Sequence, residues 1–175
     1  LISALLFLGI AFAFFYSIEK TKHTGTGVLL LLGFTFFMGL MLSRLLGFAL
    51  GLSNGVQLIS LAFGGTATVF VGMAALASTM KRDVSSLGKW LFMGVVVLLL
   101  AGLANIWLQL PALMLAVSTL SVLIFSAFIL YDLKRVVDGG ETNYVSATLA
   151  VYLDVYNVFT SLLQLLMALG GAGDD

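Results

Sequence analysis

Along the 175 residues, apolar stretches long enough to cross a bilayer alternate with short polar breaks. Five such runs are clear, at about 1 to 18, 27 to 50, 56 to 79, 87 to 108 and 112 to 131, and a sixth covers about 145 to 170. Only helices and closed barrels satisfy every backbone group in lipid, and a helix needs about 20 residues to cross a hydrocarbon core of about 30 Å. The pattern predicts an all-α, polytopic membrane helix bundle of six transmembrane helices, joined by short connections into a single domain over residues 1–175. The chain opens at Leu1 inside an apolar run, with neither Met nor the basic leader of a signal peptide, so a further N-terminal segment is expected ahead of it.

The polar breaks are of two kinds. Lys20, Lys22 and His23 fall in the first, Lys81, Arg82 and Lys89 around the third, and Lys134 and Arg135 in the fifth, whereas "GLSNG" and "LQLPAL" carry no charge. Basic residues gather on the cytoplasmic side of spans. Loops 19–26, 80–89 and 133–143 are therefore expected inside, the uncharged connections outside, and the end of the sixth span outward, as in a multi-pass membrane protein. Composition agrees: 61% of residues are hydrophobic and 9% charged, against roughly 25% charged in soluble domains. The surface must be clothed by lipid. The absence of cysteine excludes disulfides and thiolate metal sites, and a formal net charge of zero gives no support to nucleic-acid binding. Within the spans, Gly64, Thr68 and Gly72 form a small-xxx-small row expected to let helices approach closely.

Ionisable groups inside spans cost roughly 2.5 to 3.5 kcal/mol for an Asp at mid-helix, which makes each one a candidate for function. Arg44 lies near the outer end of the second span, where a long side chain reaches the headgroups. Asp132 follows the fifth apolar run in "FILYDLKRV", and Asp154 interrupts the sixth in "LAVYLDVYNVF". If "GGETNY", residues 139–144, is the turn of a helical hairpin, the two carboxylates differ in depth by only about 4 to 5 Å at 1.5 Å rise per residue. They can meet. Asn157 and Ser161 share the Asp154 face by spacing, and Ser118 and Ser121 lie on the Asp132 face further out.

Two carboxylates at close range in a dry site cannot both ionise readily, so the pair is expected to hold a proton and to act as a latch: closed when singly protonated, repelling when doubly ionised. Calcium is the other candidate occupant. It takes six to eight oxygens, so Asp132 and Asp154 would hold it weakly, with carbonyls and waters completing the shell. No firm cofactor is expected. The plainer alternative treats the two as independent helix-end groups, Asp132 paired with Lys134, Arg135 or Lys89 and Asp154 wetted by a shallow crevice.

Enzyme chemistry finds little footing. There is no HExxH motif, and the single histidine, His23, lies in a basic loop. Tyr131-Asp132 and "GAGD" at 171–174 resemble the two motifs of presenilin-like intramembrane proteases, but no helix follows Asp174 to hold it opposite Asp132, and a catalytic Asp132 and Asp154 dyad is the weaker reading of that pair.

The short-looped spans, "YDLKRV", and "YLDVYNVFTSLLQLL" in the last helix together resemble the transmembrane Bax inhibitor motif family, in its bacterial branch. "NIWLQLPAL" at 105–113 and "GGETNY" resemble the subgroup that contains the modulator of the FtsH membrane protease. The resemblance implies seven helices with the last one central, so that the first helix and the N-terminal tail would precede this chain. It also implies a pH-sensitive aspartate latch for a calcium leak, at positions matching Asp132 and Asp154. In the modulator subgroup the loop is kept and the aspartate pair not always; this chain has both. The expected functions are accordingly a non-enzymatic inner-membrane protein that restrains an FtsH-type protease, or a proton-regulated calcium or cation leak.

Overall fold

The computed structural model describes residues 2–170. Its helices are α1 (Ile2–Thr21), α2 (Gly25–Leu50), α3 (Gly55–Thr79), α4 (Leu87–Leu108), α5 (Pro111–Val137) and α6 (Tyr144–Gly170), with no strand among the described residues. All six are long and apolar enough to cross a membrane. The exposed Trp90 and Trp107 stand near opposite ends of α4, about 25 Å apart at 1.5 Å per residue, which matches the spacing of the two aromatic interfacial belts.

Helices α1 and α5 outlast the apolar runs that announce them. α5 continues to Val137 instead of ending near 131, so Asp132, Lys134 and Arg135 are helical. Cations in the last turn complement the carbonyl end of the helix, and Lys134 reaches Asp138 one turn on at 2.7 Å, which sustains the polar turns. Lys20 likewise lies on α1, which runs to Thr21 instead of ending near 18, and Lys89 stands in the first turn of α4; the connections shrink to 22–24, 80–86 and 138–143, the last of which keeps no basic residue. A hydropathy run ends where lipid ends; a helix ends where its backbone finds other partners.

Those ends are chemically specific. Gln109 closes α4 in the left-handed region at φ 50°, the Asn105 side chain accepts the Leu110 N–H at 2.9 Å, and Pro111 starts α5 with its φ already helical. At the other end of α5, Gly139 at φ +77° allows the N–H groups of Gly140 and Glu141 to return to the Arg135 carbonyl at 2.8 and 3.1 Å. Asn143 then opens α6, its Oδ1 accepting the Ser146 N–H at 3.0 Å while its Nδ2 donates to the Lys22 carbonyl at 3.0 Å. The first and fifth connections thus meet at one end of the bundle.

Helices α5 and α6 form the middle of the assembly: they pack most extensively on each other and both pack on α3, while α6 also meets α2, α4 leans on α5 and α1 on α2. One core cluster joins Ala11 and Ile18 of α1, Leu31, Phe34 and Met38 of α2 and Val145 of α6; a second joins Ala49, Leu58, Ala62 and Leu163. The close approach of α3 to α6 falls at Gly65, where an added Cβ would lie 2.7 Å from Leu162 Cδ2. The small-residue row expected to do this, Gly64, Thr68 and Gly72, is exposed, and added Cβ atoms at both glycines meet open space. Spacing located the glycine-rich turn of α3 but put the contact on the wrong face, because two adjacent glycines, 64 and 65, point about 100° apart.

Candidate functional site

The extensive α5–α6 contact is apolar over most of its length and polar along one seam. Near its basic end, Asp132 of α5 and Asp154 of α6 face each other, close enough for their carboxyls to interact. Asp154 is 4% exposed and the Asp132 side chain 13%. Asp154 Oδ2 has no hydrogen-bond partner. Two ionised carboxylates offer acceptors only, so nothing in the pair itself can satisfy that oxygen until a proton converts one acid into a donor. Burying an unpartnered carboxylate oxygen is strongly unfavourable, and a shared proton removes the conflict.

Local pairing and inter-helix pairing coexist at Asp132. Arg135, one turn along α5, places Nη1 3.9 Å from Asp132 Oδ1 and Nη2 3.8 Å from Glu141 Oε2, with its guanidinium 5.7 Å from the centre of the Tyr131 ring. Lys134 is taken by Asp138. Glu141, in the "GGETNY" loop, also accepts the Asn143 N–H at 3.0 Å, so the loop and the carboxylate pair are joined through one guanidinium. The sequence offered the i+3 spacing of Asp132 and Arg135, but not the loop's return to it, which depends on the left-handed Gly139.

The other residues of the seam are placed as follows. Asn157 donates to the Leu153 carbonyl at 2.8 Å, a bond internal to α6; Ser161 and Ser121 are buried, each 8% exposed. Ser118 donates to Gln164 Oε1 at 3.1 Å, a contact across α5 and α6 that was not anticipated, although Gln164 follows Asp154 and Ser161 along the same polar face. Ser126 and Thr66 are buried too, each returning its hydroxyl to a helix carbonyl one turn back. Ser146 Oγ, near the start of α6, is buried without a partner. Arg44 is exposed on α2. Asp174 lies outside the described residues.

The donor set fits a proton better than a resident calcium ion. No group of three or more His, Cys, Asp or Glu side chains suited to a metal occurs among the described residues, and the two carboxylates fall well short of six to eight oxygens. Arg135 beside Asp132 adds a repelling positive charge. A proton needs only the two facing oxygens.

Six apolar spans, with two carboxylates facing each other between the last two, define a multi-pass helical membrane protein. The chain belongs to the family described as inhibitor of apoptosis-promoting Bax1, whose model matches residues 1–171. An uncharacterized protein of Neisseria meningitidis serogroup A is 40% identical to it over 166 residues, 93% of this chain and 73% of that protein. The modulator of FtsH protease YccA of Escherichia coli K12 is 44% identical over 147 residues, 84% of this chain and 67% of YccA. An uncharacterized membrane protein of Vibrio cholerae is 40% identical over 152 residues, covering 87% and 68% respectively.

Proposed function

We propose that this chain is a non-enzymatic protein of a bacterial inner membrane that binds an FtsH-type membrane protease and restrains its degradation of membrane substrates. The observation that carries this reading is the 44% identity to the E. coli modulator of FtsH protease, over 84% of the chain. The 22–24 and 80–86 connections, and the end of α5 with Lys134 and Arg135, face the cytoplasm on this reading, as the positive-inside rule requires. The test is co-purification with the protease, followed by turnover of a membrane substrate in cells with and without the protein. Association and faster turnover on deletion are expected; no association with unchanged turnover rejects the reading.

A second reading has its own support in the facing carboxyls of Asp132 and Asp154 and the unpartnered Asp154 Oδ2. On it, the pair is a proton-sensitive latch on a leak for calcium or another cation, which passes as cargo. Singly protonated, the pair closes through one hydrogen bond; as pH rises the proton leaves, two negative charges repel, and Arg135 and Glu141 are the charged neighbours that share the change. Calcium flux into proteoliposomes therefore rises with pH. Asp154→Asn and Asp132→Asn, which cannot reach the doubly charged state, flatten that profile; three superimposable profiles would refute the latch.

A further inference from the structure

At the basic end of the bundle a cavity of about 500 Å³ opens between the end of α3, the 80–86 connection and the end of α5. Its cations are Lys81, Arg82 and Lys134, and its anions Asp83 and Asp138, leaving one positive charge in excess. The acids are already engaged. Asp138 binds the buried Lys134 at 2.7 Å, and Asp83 accepts the N–H and the hydroxyl of Ser85 at 2.9 and 3.0 Å, which hold its carboxyl below the usual range. Lys81 and Arg82, both exposed, form no ion pair among the described residues. The hydroxyls of Ser78 and Thr79 donate to the Ala74 and Ala75 carbonyls, so the side-chain cations left without an acid partner are Lys81 and Arg82.

The surroundings specify the ligand further. Val137 lines the cavity with 54% of its surface exposed, and Leu76, one turn below Met80, is 49% exposed. The polar hollow thus opens onto apolar helix faces at the level where spans leave the lipid, and Trp90 at the same end of α4 marks that level. A small soluble anion would use the cations and waste the apolar flank; a phospholipid uses both. We propose that this cavity is a binding site for the phosphate headgroup of an anionic membrane phospholipid, held by Lys81 and Arg82, with its acyl chains along the Leu76 and Val137 faces. The site is independent of the Asp132 and Asp154 pair and of either function proposed above.

The full chain, in detergent with equal amounts of phosphatidylglycerol and phosphatidylcholine of matched chains, is read by native mass spectrometry for retained lipid. Wild type is expected to favour phosphatidylglycerol by roughly thirtyfold, the scale that two basic residues near an anionic lipid supply. The Lys81→Gln/Arg82→Gln variant brings the ratio close to one, whereas Lys20→Gln/Lys89→Gln, which removes the same charge from residues that do not line the cavity, keeps it. Equal loss in both variants, or loss in neither, overturns the site. Titration with inorganic phosphate separates the remaining source: if it displaces the lipid from wild type at matched concentration, the cavity is a phosphate site and the lipid assignment fails.

Discussion

A carboxyl as deeply buried as that of Asp154 must be neutral, be paired with a cation, or share a proton with another acid, and its nearest charged partner is Asp132. The substitutions that follow separate geometry from charge. Asp154→Asn keeps a donor opposite Asp132 and is expected to change stability in detergent by no more than about 0.5 kcal/mol, whereas Asp154→Val leaves Asp132 facing an apolar wall and costs about 1 to 3 kcal/mol. Thermal unfolding of the two variants side by side measures the difference; equal destabilisation would mean that Asp132 gains nothing from its partner. At this scale the sequence was informative wherever a group was costly in lipid. Two aspartates in apolar runs stand out because few positions tolerate them, and hairpin arithmetic brings them to one depth. The Ser118 and Gln164 contact did not stand out, since hydroxyls satisfy themselves on their own helix and their presence says little about what lies opposite.

Helices were legible as existing, and four of them end where hydropathy puts them, at 50, 79, 108 and 170; the ends of α1 and α5 were hidden. Six spans follow from hydropathy alone, but the last turns of α5 carry Lys134 and Arg135 because the helix end, and not the membrane, decides where the backbone stops. Which face of α3 meets α6 was equally hidden, for the two neighbouring glycines differ only in direction. Gly65→Leu is expected to destabilise the bundle by about 1 to 3 kcal/mol through overpacking against Leu162, while Gly64→Leu, directed into open space, has little effect. Denaturation of both variants in the same detergent distinguishes the faces. At the start of α6, Asn143→Ala removes the cap of Ser146 and the tie to Lys22, and a loss of about 1 kcal/mol is expected, with faster hydrogen exchange in the first turn of α6 and in the 22–24 connection together. Exchange quickening in α6 alone would show that the tie between connections contributes nothing.

For the whole molecule, the cations of the 22–24 and 80–86 connections and of the end of α5 share one end and the two uncharged connections lie at the other, so orientation can be read with the chain's own lack of cysteine as background. In intact spheroplasts a membrane-impermeant thiol reagent is expected to label Leu110→Cys, while Gly140→Cys reacts only after the membrane is opened; the reverse order would invert the bundle. Arg135 gives that end a property that neither loop nor acid pair has by itself. Its two contacts, 3.9 Å to Asp132 and 3.8 Å to Glu141, are both at the outer limit of ion pairing, so the guanidinium is committed to neither. Linkage makes the division reciprocal. On the latch reading, a partner protein that gripped Glu141 would hand the positive charge to Asp132, and loss of a proton from the pair would draw that charge inward and leave Glu141 open to the partner. Docking at the membrane surface and proton release inside it would then be measured as one equilibrium, seen from its two ends.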